Sequence, residues 1–421
     1  MKTHRRIALT ALTGLAIAAS TAPQPVSGDP LVTELSSARA ISKSTTTWAQ
    51  APMWQQGRPK EMENLGLEPI NPPAEPTPAS QIPVDRVKLP PGFKIAVWAD
   101  NVANAREIVR GTKGTIFVGS RGAGKVYAIV DKGTTRQVKT LTTGLSQPNG
   151  VEFKDGALYV AESNRIWKME NIEDRLDNPP EPKLIFDKVP HADVPHHHWK
   201  PLRFGPDGKL YFAIGAPCNI CNPPKGFASI TRINADGSGF EVVARGIRNT
   251  LDWDWHPVTK ELYFTDHGSD WMGDDKPEDI LGVVSKGVPN FGFPFCESGE
   301  PHPELGKGHR CSEFAAPALL LGPHVAPIGT RFYTGSMFPA EHKNRLFSAQ
   351  KGSWNRTKKV GYRVMMITLG GQTPKYEPFA EGWLENGKMW GRPSYLYQMP
   401  DGAFLLSDDY NGCIYRISYS R

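Results

Sequence analysis

Six times along this chain a Gly, Asp, Asn or Lys turn is followed by an aliphatic–aromatic run of strand length. The copies are Gly114-Thr115-Ile116-Phe117-Val118, Asp155-Gly156-Ala157-Leu158-Tyr159-Val160, Asp207-Gly208-Lys209-Leu210-Tyr211-Phe212, Lys260-Glu261-Leu262-Tyr263-Phe264, Asn344-Arg345-Leu346-Phe347 and Asp401-Gly402-Ala403-Phe404-Leu405. Several are trailed by a second strand of related flavour, as in Lys125-Val126-Tyr127-Ala128-Ile129, Arg165-Ile166-Trp167-Lys168-Met169 and Cys413-Ile414-Tyr415-Arg416-Ile417. Turn residues before alternating apolar positions are a hairpin signal. A unit that recurs at roughly 40 to 85 residues points to a radial repeat. The expected fold is all-β, a six-bladed β-propeller over residues 86–421. A β-sandwich array is the alternative.

Ahead of the repeats the chain changes character twice. Lys2, Arg5 and Arg6 precede a charge-free apolar stretch from Ile7 to Ala19, and Ser20-Thr21-Ala22 offers small residues for cleavage. That stretch is shorter than the roughly 20 residues a membrane span needs. It is read as a signal peptide over residues 1–22, which implies a periplasmic or secreted protein with no membrane span. Residues 23–85 are rich in Pro, Ser and Thr, with Pro69, Pro72, Pro73, Pro76, Pro78 and Pro83 close together, a composition that sustains neither helix nor central strand. They are read as an extension or linker.

A net charge of +6 is mild for 421 residues, and no basic run is interleaved with aromatics, so nucleic acid is not an expected partner. No glycine-rich phosphate loop lies between a strand and a helix, which removes nicotinamide and nucleoside triphosphate readings. The five cysteines suggest local pairing in an oxidising compartment, Cys218 with Cys221 and Cys296 with Cys311, leaving Cys413 free. Haem attachment would need His where Asn222 stands, and zinc would need two further ligands from elsewhere.

A propeller gathers its insertions on one face, so chemistry is expected in the long loops at 186–204, 213–229, 245–256, 266–314 and 350–362. His196-His197-His198 offers a neutral imidazole as proton acceptor. Alternation along a strand would keep all three from one metal. Arg248 beside Asn249 can fork onto a carboxylate. The loop from Asp266 to Asp279 carries the hard oxygens calcium prefers, without the spacing of an EF-hand. Lys351 and Arg392 sit at strand ends where blades five and six approach the channel. With Arg248 they would converge on a small polyanion. Each has a plain alternative: a solvated His cluster, a blade-to-blade ion pair, an acidic surface loop, solvated cations.

Taken in order, Leu89-Pro90-Pro91-Gly92-Phe93, His196 to Gly208, Gly215-Ala216-Pro217-Cys218-Asn219-Ile220-Cys221, Gly246-Ile247-Arg248-Asn249, Asn290-Phe291-Gly292-Phe293-Pro294 and Gly352-Ser353-Trp354-Asn355-Arg356 resemble the soluble pyrroloquinoline-quinone (PQQ)-dependent sugar dehydrogenases, especially the L-sorbosone dehydrogenase-like branch. The resemblance spans about residues 89–419. It implies a quinoprotein that uses PQQ and Ca2+ to oxidise a sugar-like alcohol or aldehyde and passes electrons to an external acceptor, a quinone or cytochrome. It implies His197 as catalytic base, Arg248, Asn249, Lys351 and Arg392 as cofactor-binding residues, and Gly268 and Ser269 as calcium ligands through their carbonyls. Ala216 stands where glucose-oxidising relatives carry a supporting Asp, and Pro201-Leu202 replaces their Arg-Leu, so a glucose preference does not follow and the partner of His197 is unassigned. Two other readings compete: a calcium-dependent lactonase-type propeller and a non-catalytic binding module.

Overall fold

The computed structural model describes residues 52–190, 196–370 and 374–420. The signal-peptide expectation lies outside them. Six four-stranded antiparallel sheets form the body. Their innermost strands are Ala105–Arg110, Gly150–Lys154, Arg203–Phe204, Thr250–Trp255, Pro327–Phe332 and Pro393–Gln398. Inner strands pack side by side around the ring, the first against the sixth, with blade three meeting the inner strand of blade four through its second strand.

The sixfold sequence repeat is the second strand of each blade: Ile116–Ser120, Ala157–Ala161, Leu210–Ile214, Leu262–Asp266, Leu346–Gln350 and Phe404–Asp408. Every residue of these strands is buried except the half-buried Tyr263. A second strand is covered on both faces by adjacent blades, which is why it reads as a near-continuous apolar run rather than an alternation. Between blades five and six, Phe347 and Phe404 meet Phe338 and Phe379 in one aromatic cluster. Truncating the fully buried Phe347 to Ala would cost about 3–5 kcal/mol.

The sixth blade is built from both ends of the propeller. Its fourth strand is Phe93–Ala99, paired antiparallel with Cys413–Tyr419 in the register Phe93↔Tyr419 and Ile95↔Ile417. Cys413 lies in that strand, buried and free. Cys218–Cys221 and Cys296–Cys311 are disulfides, as expected.

From residue 52 to 87 the chain contains four short 3-10 turns and no strand, in keeping with its prolines. It is nevertheless packed: Ile82 and Val87 join the apolar cluster of blades five and six, and Thr77 N donates to Asn411 O at 2.8 Å. Composition forbids regular structure here without forbidding attachment.

No helix among the described residues is long and apolar enough to cross a membrane.

Candidate active site

In an antiparallel blade the start of the first strand and the end of the second lie on the same face. That rule brings distant residues together. Arg248 and Asn249 immediately precede the inner strand of blade four, and Arg392 precedes that of blade six. Arg121, Ala216, His267, Lys351 and Asp409 immediately follow, or lie within two residues of, the second strands of blades one, three, four, five and six. Most of them line one cavity of about 500 Å³. Below it the channel is filled by inner-strand side chains: Arg203 pairs with Asp252, and Tyr395 Oη donates to Leu251 O at 2.9 Å while accepting from Asn149. The cavity is therefore blind on that side.

One wall is cationic. Asp409 is buried and paired with Arg106 at 2.8 Å and with Arg392 at 2.9 Å. Burial alone would raise its carboxyl, but Arg392, Arg106, Lys351 and Arg121 bring it down to about 2. Four cations thus surround one carboxylate. Lys351 donates no side-chain hydrogen bond among the described residues, and its pKa is held well below the usual lysine range by burial and then by Arg392, Arg106 and Arg121. Burial, with Arg106 and Arg392, lowers Arg121 as well; its guanidinium lies over the Trp199 ring at 4.6 Å. Arg106 Nε and Nη1 and Arg392 Nε are buried without a hydrogen-bond partner. Excess buried positive charge with idle donors fits a polyanionic ligand.

The opposite side holds the histidines. Residues 196–198 form a bend, not a strand, and His197 has φ +47°. The alternation expected for a strand therefore does not apply: the rings of His196 and His197 meet edge-on, 3.9 Å between centroids. His197 Nδ1 lies 3.0 Å from Ala216 O. A carbonyl only accepts, so Nδ1 carries the proton and Nε2 is a bare lone pair. The backbone of Ala216 thus takes the place of the missing carboxylate. Gly215 permits the approach, since a Cβ there would stand 2.5 Å from His197 Cβ. Burial, then His196 and Arg248, keeps His197 well below the ordinary histidine value, and burial with Arg248 lowers His196 to about 4. Both are neutral near pH 7.

Arg248 lines the same cavity but is engaged apart from the cationic wall. Its Nη2 reaches Asp270 Oδ2 at 2.8 Å and Asn219 Oδ1 at 2.7 Å, its Nε reaches Asn219 O at 2.9 Å, and its Nη1 reaches Gly268 O at 2.7 Å. Asn249 Nδ2 lies 3.1 Å from His267 Nδ1. The loop after blade four's second strand hangs from buried carboxylates. Asp266 accepts from the amides of Arg248 and Asn249, Asp279 from Gly268 N, and Glu297 from Ser269 N and Oγ. The carbonyl expected to serve calcium, Gly268 O, is taken by Arg248 Nη1, whose Nη2 reaches the Asp270 carboxylate.

Of the residues expected from sequence, His197, Arg248, Asn249, Gly268, Lys351 and Arg392 all line the cavity. Ser269 is buried behind it. Sequence reasoning missed Arg106, Arg121, Asp409 and Asn219, and it read Asp270 only as one carboxylate of the acidic loop from Asp266 to Asp279, not as the partner of Arg248. A usable signal existed for two of them, since Arg121 and Asp409 follow second strands as Lys351 does.

The fold and site define a six-bladed propeller whose blind central cavity joins a cationic wall to a neutral imidazole. The Glucose / Sorbosone dehydrogenase family profile matches residues 158–354. The chain belongs to the glucose/sorbosone dehydrogenase family. An uncharacterized protein of Borreliella burgdorferi is 31% identical over 350 residues, 80% of this chain and 91% of that protein. Solved structures share the fold, among them the following three. A calcium structure of a Trichoderma reesei carbohydrate-active enzyme of family AA12 is 16% identical with a TM-score of 0.66, covering 82% of this chain and 100% of that one. The holo PQQ domain of a pyranose dehydrogenase from Coprinopsis cinerea is 16% identical with a TM-score of 0.66, covering 79% and 97%. A PQQ-bound aldose sugar dehydrogenase from Streptomyces coelicolor is 19% identical with a TM-score of 0.57, covering 83% and 100%.

Proposed function

We propose that this protein is a PQQ- and calcium-dependent dehydrogenase of sugar-like alcohols or aldehydes, of the sorbosone or aldose type, that passes electrons to an external quinone or cytochrome. The observation that carries the reading is the grouping of Arg106, Arg121, Lys351 and Arg392 around the single carboxylate Asp409, across one cavity from the bare Nε2 of His197.

PQQ, when bound, supplies an ortho-quinone that accepts hydride, and calcium polarises it. Lys351, Arg121 and Arg392 would neutralise its carboxylates, with Asn249 and Arg248 on the adjoining side. Gly268 O would be the backbone oxygen nearest the cavity for calcium, once freed from Arg248 Nη1, whereas Ser269 lies behind the lining and would need to be exposed to contribute its own. His197 Nε2 takes the substrate hydroxyl proton. Ala216 O holds the ring in the tautomer that allows this. The filled channel floor keeps bulk water from that side.

The lactonase reading finds less support. Among the described residues, Asp270 is shared by Arg248 and Asn355, and Asp279 is tied to backbone amides of Gly268 and Ala326. Residues 1–22 as signal peptide, 23–85 as extension and 86–421 as catalytic propeller complete the proposal, with export to the periplasm or medium. Two disulfides suit an oxidising compartment.

The test is reconstitution of the purified protein with PQQ and calcium. The quinone absorbance is followed as aldoses, polyols and sorbosone-like aldehydes are added with a dye acceptor present. Saturable, calcium-dependent binding and substrate-driven bleaching are expected. Absence of binding at micromolar PQQ would overturn the assignment.

A further inference from the structure

The segment between Pro52 and Asn71 crosses the cavity twice. Pro52, Met53 and Trp54 line it on the side of blades three to five, and Glu68 to Asn71 on the side of blade six. Each crossing is pinned. Trp54 O accepts from Trp271 Nε1 at 2.6 Å, Gln56 Oε1 accepts from Asn219 N at 2.9 Å, and Ile70 O accepts from Arg392 Nη1 at 2.6 Å.

The first crossing builds an aromatic wall. Trp54 meets Trp354 edge-on at 5.9 Å, and Trp271 meets Trp354 edge-on at 5.2 Å. The Arg58 guanidinium lies over the rings of both Trp54 and Trp271, 5.8 and 5.0 Å from their centroids. Trp271 is buried behind, whereas Trp54 and Trp354 are partly exposed and line the cavity. The wall is also fixed relative to the histidines. Trp271 and Trp354 neighbour Asp270 and Asn355 in the chain, and these two pair at 2.7 Å. Asp270 has a carboxylate oxygen within 4.8 Å of ring nitrogens of both His196 and His197. The cavity therefore has two chemically different ends: the cations gathered around Asp409 at one, and indole rings beside imidazole at the other, where the guanidiniums of Arg58 and Arg248 are already engaged by Trp54, Trp271 and Asp270.

A cyclic monosaccharide matches the second end, with one face of C–H bonds and an edge of hydroxyls. Flat aromatic surfaces accept the former, and convergent polar groups fix the latter. We propose that Trp54 and Trp354, backed by Trp271, form the substrate subsite. The two indoles stand perpendicular to each other, so one holds the apolar face of a single sugar ring and the other meets its edge, with the His196–His197 edge facing its hydroxyls. Residues 52–71 close the outer end, so the site takes monosaccharides in preference to longer chains. This rests on the dehydrogenase reading for its choice of substrate and on the extension for its wall.

The test begins with equilibrium binding of methyl glycosides, followed by tryptophan fluorescence in protein without acceptor. Trp54→Ala and Trp354→Ala are expected to weaken binding about tenfold, and Trp54→Phe, which keeps a flat ring, by less than about threefold. In turnover the same loss appears chiefly in KM, and wild type prefers a monosaccharide to its trisaccharide. Wild-type protein that binds no sugar, or alanine variants that bind it as tightly as wild type, would overturn the subsite. Quinone binding, read separately by absorbance, distinguishes the two ideas: sugar bound without quinone fells the dehydrogenase reading and keeps the subsite, and the reverse result does the opposite.

Discussion

His197 Nδ1 and the carbonyl oxygen of Ala216 stand 3.0 Å apart, so the imidazole is oriented by main chain where a carboxylate would otherwise serve. A carbonyl carries no full charge, and it cannot draw the ring's pKa upward as a carboxylate does. Burial leaves His197 well below its ordinary value. The base is therefore in its active, neutral form throughout the neutral range. Substrate reduction of the cofactor should stay level as pH falls through 6.5 and decline only well below it. His197→Ala should slow that step by about 10²- to 10⁴-fold. Single-turnover bleaching across pH measures both.

Lys351 and Arg121 are half-buried cations lining the cavity near like charges, and among the described residues neither forms an ion pair. Removing either relieves repulsion in the free protein, so Lys351→Ala and Arg121→Ala should melt no lower than wild type. Each should bind PQQ about ten- to a hundredfold more weakly, the scale of one charge-assisted hydrogen bond. Because Lys351 is lowered in the free protein and a polyanion raises it, binding takes up a proton, and affinity falls as pH rises. Calorimetry in buffers of different ionisation heat reads the proton.

Asp409 behaves oppositely. It is the shared partner of Arg106 and Arg392, all three side chains essentially inaccessible. Asp409→Asn strands two buried guanidiniums, and a loss of about 3–5 kcal/mol in unfolding free energy is expected by denaturant titration.

The disulfides should separate by function. Cys296–Cys311 spans 15 residues, and its removal is expected to lower stability by up to about 3 kcal/mol. Cys218–Cys221 spans three and restrains little of the unfolded chain. It closes the loop bearing Asn219, which holds Arg248 through both its carbonyl and its side chain. Cys218→Ser with Cys221→Ser should leave the melting temperature nearly unchanged and weaken cofactor binding severalfold, whereas Asn219→Ala, which strands the buried partners of its amide, should weaken binding and also lower stability by about 1–3 kcal/mol.

What was legible in the sequence follows from what each blade must do. The second strands announced themselves because burial on both faces demands an unbroken apolar run, and six such runs counted the blades. Lys351 was legible as a cation at the end of one of those strands, and Arg392 as one just ahead of the last inner strand. Arg106 was not, because within Ala105–Arg110 it reads as an ordinary strand residue and only ring closure turns it toward Asp409. The wall made by Trp54 was hidden for another reason. Proline-rich composition reports the lack of regular hydrogen bonding, and says nothing about where an irregular chain is tied. The role of Ala216 could not be read from its side chain, because the group that matters is its carbonyl.

The pairing of Phe93–Ala99 with Cys413–Tyr419 sets a condition on how the molecule comes into being. The ring has a seam, and both of its edges are synthesised more than 300 residues apart. Five blades can assemble from neighbours in the chain, but the sixth must wait for the last one. Any protein released early would present an unpaired strand edge to its surroundings. Asp409, the carboxylate that Arg106 of the first blade and Arg392 of the sixth share, stands just ahead of the strand that zips that seam, so the cationic wall, and with it the ability to hold a ligand, is complete only when the seam closes.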